Sequence, residues 1–198
     1  MPATKTIQYR YDARGDRSSL IDPDGGRFTY AYDSVGRISH LENPQNELTS
    51  HAYDAASRRT VKKLTNGTRA SFTYDAASRL TRLANLKSDG SSISSFDYTY
   101  DSVGNRLSMA EADGSRVTWS YDNANQLTGE HRTGTTPYRN TFIYDPASNR
   151  TLKNEGGSRT TYSYDAANQL ATSDVGPAVP ADKVAGRCIA LCGQREPT

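Results

Sequence analysis

The sequence predicts an all-β fold, built of consecutive antiparallel β-hairpins laid side by side in a curved or spiralling strip. Three observations lead there. The first is a repeat: Tyr-Asp recurs at Tyr11-Asp12, Tyr32-Asp33, Tyr53-Asp54, Tyr74-Asp75, Tyr100-Asp101, Tyr121-Asp122, Tyr144-Asp145 and Tyr164-Asp165, at intervals of 21, 21, 21, 26, 21, 23 and 20 residues. Self-similarity at such a period is the signature of a repeat architecture. The second is alternation ahead of the Tyr, as in Phe28-Thr29-Tyr30-Ala31-Tyr32 and Val117-Thr118-Trp119-Ser120-Tyr121. A period of two puts aromatic side chains on one face of a strand and small or polar ones on the other. The third is turn chemistry. Four residues after each Tyr stand Gly15, Gly36, Ser57, Ser78, Gly104, Asn125, Ser148 and Asn168. Gly and Asn tolerate positive φ best, and a type I turn closed by a left-handed residue is a common hairpin connection.

In chain order, residues 1–8 are a lead-in without an apolar run, so this stretch holds no signal peptide. Residues 9–172 are the array of eight hairpin units. In each unit the aromatic arm runs up to Tyr, and Asp starts the turn by accepting backbone amides two or more residues on. A second set of breakers ends each return arm: Asp24-Gly25-Gly26, Asn43-Pro44, Asn66-Gly67, Asp89-Gly90, Asp113-Gly114, Gly134 and Gly156-Gly157. Two turns per unit leave two strands of about 5–7 residues, an ordinary length. The longest interval contains Ser88–Ser95, which reads as an exposed excursion.

The return arms come in two alternating kinds. Six residues after Tyr stand Ile38, Leu80, Leu127 and Leu170 in one kind, and Arg17, Arg59, Arg106 and Arg150 in the other. A one-residue offset moves side chains to the opposite face. The Arg-bearing hairpins are therefore expected to carry an extra, bulge-like residue, and the structural brick is expected to be a pair of hairpins. That pair, with four strands in about 42 residues, also matches the size of a β-propeller blade, the alternative fold. The near identity of the two halves of each brick argues against it.

Residues 173–198 have no Tyr, three prolines and the only cysteines, Cys188 and Cys192. They read as a non-repeat tail. Two thiols four apart, without a nearby His, do not make a four-ligand metal site, and no cofactor is expected.

Composition narrows the function. The chain has 198 residues, a formal net charge of +2 and thirteen tyrosines. Charges of both signs alternate along it, so no basic nucleic-acid footprint is present, and no apolar run is long enough to span a membrane as a helix. Sustained alternation of aromatics separates it from disordered chains of similar polarity.

No catalytic constellation stands out. An Asp repeated eight times in one role serves the repeat, whereas an active site needs singular surroundings. His40, His51 and His131 share no spacing. Arg14-Gly15-Asp16 spells an adhesion tripeptide but fills the first turn. Asn66-Gly67-Thr68 and Asn149-Arg150-Thr151 are glycosylation acceptors only on a eukaryotic-type secretory route. The expected role is structural and non-catalytic, with the eight Tyr-Asp pairs as structural repeat positions. The alternative is a binding module whose Tyr and Trp contact glycans.

Tyr32–Ile38, with the pattern Y-D-x-x-G-R-I, and Tyr100–Leu107, with Y-D-x-x-G-N-R-L, resemble the YD repeats of the RHS family. The resemblance extends over eight stations in register. That family includes bacterial polymorphic toxins, shell components of insecticidal toxin complexes, cell-wall-associated proteins and animal teneurins. The resemblance implies a β-strip wound into a hollow shell around a toxin or other cargo, on a secreted or cell-surface protein, sometimes with carbohydrate attachment. Family shells use many more repeats, so the array is expected to be partial. Its implied partners are the remainder of such a shell, or further copies through open strand edges. Family members often carry a D-P-x-G motif linked in some to self-cleavage; here Asp22-Pro23-Asp24-Gly25 is an inter-strand turn and Asp145-Pro146-Ala147-Ser148 a repeat station.

Overall fold

A computed structural model describes residues 5–176. Cys188 and Cys192, with most of the expected tail, lie outside the described residues. The strands run in sequence: β1 (Gln8–Tyr11), β2 (Arg17–Ile21), β3 (Arg27–Tyr32), β4 (Ile38–Glu42), β5 (Leu48–Tyr53), β6 (Arg59–Leu64), β7 (Arg69–Tyr74) and β8 (Leu80–Leu86). They continue as β9 (Ser92–Tyr100), β10 (Arg106–Glu111), β11 (Arg116–Tyr121), β12 (Leu127–Thr133), β13 (Tyr138–Tyr144), β14 (Arg150–Glu155), β15 (Ser158–Tyr164) and β16 (Leu170–Gly176). All sixteen belong to one open sheet, in sequence order from β1 to β16. A propeller would divide them among separate four-stranded blades, so that alternative is excluded. The stretch read as an excursion is mostly strand: β9 begins at Ser92, and the turn occupies only residues 88–90.

The chain forms two compact units. One is Met1–Tyr98 with Ala110–Ala112, and the other is Thr99–Met109 with Asp113–Thr198. In both, every connection is short because each strand pairs with its sequence neighbour, the cheapest closure for a chain.

A register shift marks the station turns. Tyr32 pairs with Ile38 while Ala31 pairs with His40, so one extra residue sits on the return strand. The same shift lies at Tyr11/Arg17, Tyr53/Arg59, Tyr74/Leu80, Tyr121/Leu127, Tyr144/Arg150 and Tyr164/Leu170. This corrects the expectation that only Arg-bearing hairpins are bulged. Arg17, Arg59 and Arg150 take the same register as Ile38, Leu80, Leu127 and Leu170. The cause is the shared turn, whose left-handed fourth residue generates the bulge whatever follows it.

The aromatic face is also less buried than expected. Tyr98, Tyr100, Trp119 and Tyr121 alternate with exposed Thr99 and Ser120, but their rings are only half-buried. The most buried apolar residues are Ala84 and Val117, and among polar ones Ser19, Ser95, Ser108 and Ser115. Ser95 pairs with Ala84, on the face opposite Leu83 and Phe96. No second layer packs on either unit's strands among the described contacts. Shielding therefore comes from neighbours on the same face, which covers a short side chain between longer ones and leaves a ring half open.

Candidate functional site: the Tyr-Asp stations

Each station is a small hydrogen-bonded device. The backbone N–H of Asp54 donates to the Arg58 carbonyl at 3.0 Å, and that of Ser57 to the Asp54 carbonyl at 3.0 Å. Asp54 Oδ1 accepts the amides of Ala56 and Arg58 at 3.0 and 2.9 Å. The same pattern recurs at Asp12, Asp33, Asp75, Asp101, Asp122, Asp145 and Asp165. The fourth residue after Tyr has positive φ at all eight stations, from 59° at Asn168 to 100° at Gly104. Connecting turns reuse the design, with Asp22 and Asn43 in the Asp role.

These bonds tune the carboxylates. The Arg37, Arg58 and Arg79 backbone amides hold Asp33, Asp54 and Asp75 respectively below the usual carboxylate range. At Asp145 the Asn149 side-chain amide has the largest effect, in the same direction. At Asp101 burial pushes upward, but the amides of Asn105, Gly104 and Val103 together outweigh it. An ionised acceptor of several N–H groups is stabilised in this way.

The Tyr hydroxyl joins one hairpin to the one before. Tyr53 Oη donates to the Ile38 carbonyl at 2.9 Å, and Tyr74 Oη to the Arg59 carbonyl at 2.9 Å. Tyr32 donates to Arg17, Tyr121 to Arg106, Tyr144 to Leu127 and Tyr164 to Arg150 in the same manner. In every case the acceptor is the residue six after the preceding station Tyr.

The residue five after Tyr points the other way along the array. Arg37 binds Asp33 Oδ2 through Nε at 2.7 Å, then reaches the next turn at the Asp54 carbonyl and Ser57 Oγ. Arg58 repeats this towards Asp75 and Ser78. Asn105 and Asn149 achieve it with their amides, bonding their own Asp and then Asn125 or Asn168. Six residues after Tyr, the Arg guanidinium stacks on the aromatic residue of the next unit: Arg17 on Tyr30 at 4.3 Å, Arg59 on Phe72 at 5.1 Å, Arg106 on Trp119 at 5.2 Å and Arg150 on Tyr162 at 5.0 Å. Such contacts contribute about 0.5–1 kcal/mol each when exposed.

Sequence reasoning assigned no role to either set of linkers, nor to the hydroxyl. Two signals carried them. The station aromatic is Tyr at all eight places, whereas two residues earlier it varies over Tyr9, Tyr30, His51, Phe72, Tyr98, Trp119, Phe142 and Tyr162. A hydroxyl kept that strictly needs a partner. The fifth position is Arg, Asn or Gln at every station except the first, where it is Asp16.

The residue facing this aromatic position varies: Leu41 faces Tyr30 and Leu83 faces Phe72, but Lys62 faces His51, Lys153 faces Phe142 and Glu130 faces Trp119. Glu130 accepts from Trp119 Nε1, Tyr138 Oη and Asn140 Nδ2, each at 3.2 Å. Beside it, Tyr100, Arg106, Trp119, Tyr121 and Leu127 line an open cavity of about 460 Å³. Elsewhere His51 takes an aromatic position, and burial, with Arg59 and Lys62 nearby, lowers its pKa. No group of three or more His, Cys, Asp or Glu residues able to hold a metal ion occurs among the described residues.

Hairpins stapled station to station define a β-hairpin repeat protein. The chain belongs to the teneurin YD-shell family, whose model matches residues 3–173. Its fold is similar to a crystal structure of TcdB2-TccC3-Cdc42, with a TM-score of 0.72 and 19% identity over 83% of this chain and 10% of that one. It is likewise similar to the Photorhabdus luminescens Tc holotoxin pore with a TccC3 variant, with a TM-score of 0.73, 19% identity and the same coverage. A crystal structure of TcdB2-TccC3 gives a TM-score of 0.66 and 20% identity over 84% of this chain and 10% of that one. The chain thus spans about a tenth of the length of these solved chains. No curated protein gives a significant sequence match.

Proposed function

We propose that the array is wall material: a non-catalytic segment of a YD shell that encloses or presents a toxin or other cargo. The observation that carries this reading is the uniformity of the stations. The same Asp turn and Tyr staple recur along the chain, and their polar groups are engaged in shaping the turn itself or in joining neighbouring hairpins. On this reading the chain acts in a secreted or cell-surface assembly, as part of a larger exported protein. The test is complementation. The chain is co-expressed with a toxin-complex shell protein lacking an equal run of hairpins, with a protease-sensitive reporter replacing the cargo. Restored protection of the reporter supports the wall role; digestion at the rate seen with the shortened shell alone contradicts it.

A second reading, a carbohydrate-binding module, is favoured by the half-open aromatic face, above all the cavity beside Trp119, Arg106 and Glu130. It predicts glycan-array binding that Trp119→Ala abolishes. Equal signals from both proteins would remove it.

A further inference from the structure

The mixing of charge along the chain breaks at one place. Residues 58–87 hold eight Lys or Arg side chains against a single acid, Asp75, in a chain whose formal net charge is only +2. Three of the eight are neutralised: Arg58 by Asp54, Arg79 by Asp75 and Arg82 by Asp97. Arg59 stacks on Phe72. Lys62, Lys63, Arg69 and Lys87 have no ion-pair partner among the described residues. Lys63 even stands directly opposite Arg69 across β6 and β7. Like charges so placed destabilise a sheet. His51, which faces Lys62, registers the same field, since Arg59 and Lys62 add to burial in lowering its pKa.

Two hollows open beside these cations, both within the unit of Met1–Tyr98 with Ala110–Ala112. One, of about 380 Å³, is lined by Lys62 and Arg69 with Leu64, Leu86, Ile93 and Asn85, and no described acid lines it. The other, of about 270 Å³, shares Leu64 and adds Leu41, Leu48 and one acid, Glu47. That carboxylate already accepts the Asn43 side-chain amide at 2.7 Å. Leu41 faces Thr49 and Thr49 faces Leu64, while Lys62 faces Ala70 and Ala70 faces Asn85. Lys62 and Leu64 lie two apart on β6, so both rows occupy one face of the sheet. The two hollows thus form a groove that crosses the strands from β4 to β9. Five strand spacings of about 4.8 Å make about 24 Å, the length of about seven extended residues. Its aliphatic walls stay open, with Leu48 and Ile93 41% and 56% exposed.

We propose that this groove docks an extended acidic peptide with aliphatic side chains, its carboxylates on Lys62 and Arg69 and its aliphatic groups against Leu64 and Ile93. Charge complementarity selects the occupant: unpaired cations that crowd one another gain most from carboxylates brought by a partner. Single-stranded nucleic acid stacks on aromatic platforms, and none of the residues lining either hollow is aromatic. A membrane surface takes up apolar groups that project, whereas these line hollows. The groove lies away from the Tyr-Asp stations and adds a partner without depending on the wall reading.

Fluorescence anisotropy of the 198-residue chain with a labelled seven-residue peptide alternating Glu and Leu tests the proposal. Binding should saturate and should weaken as salt rises. Replacing the peptide's Glu by Gln, or its Leu by Ser, should weaken it by about tenfold or more. Lys62→Glu with Arg69→Glu should do the same, and Ile93→Ser should weaken it by about threefold to tenfold. Arg139→Glu with Arg159→Glu, an equal change of charge in the other unit, should leave binding unchanged. Circular dichroism checks each fold, and Lys62→Gln with Arg69→Gln takes the place of the Glu pair if that pair unfolds. Absence of saturable binding, equal binding of the Gln peptide, or an equal loss in the Arg139 and Arg159 variant would overturn the peptide site. So would tighter binding of oligodeoxythymidylate or of phosphatidylserine vesicles through the same Lys62 and Arg69. None of these outcomes bears on the complementation test of the wall reading.

Discussion

A tyrosine and an aspartate divide the labour from the second station onwards. The Asp shapes its own turn through Oδ1, and the Tyr, through a hydroxyl at the far end of its ring, fastens that turn's hairpin to the previous one. Tyr53→Phe keeps the ring and loses only the bond to Ile38, so it should destabilise the fold by about 1 kcal/mol in chemical denaturation. The left-handed slot makes a different demand. An added Cβ at Gly36 would meet nothing within 4 Å, yet φ is +83°. Gly36→Val should therefore cost about 1–3 kcal/mol through backbone conformation alone, whereas Gly36→Asn should cost far less. Melting temperatures of the two variants would separate conformation from packing. Trp119 is half-buried, so Trp119→Ala should cost about 2 kcal/mol, less than the roughly 3–5 kcal/mol of a fully enclosed ring. Its acrylamide quenching should fall between free indole and a core tryptophan.

The hairpin is the element, and its weakness is acid. An unfolded Asp titrates near 3.9. The folded values of Asp33, Asp54, Asp75, Asp101 and Asp145 lie lower, so the fold favours their ionised forms. That contribution is complete above about pH 4 and is lost as pH falls through the lowered folded values. Thermal melts should fall a little from pH 7 to 5, as unfolded His51 gains a proton that its folded site disfavours, and fall further below 4, with Asp54→Asn lessening the acid drop. Much of this element was legible in the sequence, since Asp three residues before Gly, Ser or Asn, after alternating aromatics, spells a hairpin in local chemistry. The bulge, shared by Arg-bearing and aliphatic hairpins alike, was misassigned. Arg and Leu at one position look like different faces to a rule in which polarity decides orientation, and the stacked guanidinium defeats that rule. Burial was also overstated, because a sequence pattern names the apolar face without saying whether a second layer covers it.

At the scale of the molecule, the order of sixteen strands follows from neighbour pairing, and sequence periodicity carried it in full. The links between hairpins were less legible, because they join side chains to backbone carbonyls 14 to 17 residues away, and a carbonyl has no letter in the sequence. Those links make the central claim testable: each hairpin depends on its neighbours and on little else, as in a linear repeat. Deleting residues 33–74 removes two whole units and joins Tyr32 to Asp75, preserving both the station and the alternation of Arg and aliphatic units. The shortened chain should keep the same β-sheet circular dichroism per residue, still unfold cooperatively, and show a denaturant slope reduced in proportion to the strands removed. Loss of the sheet signal would contradict the account, since it would mean that a global core, and not the station-to-station staples, holds the fold.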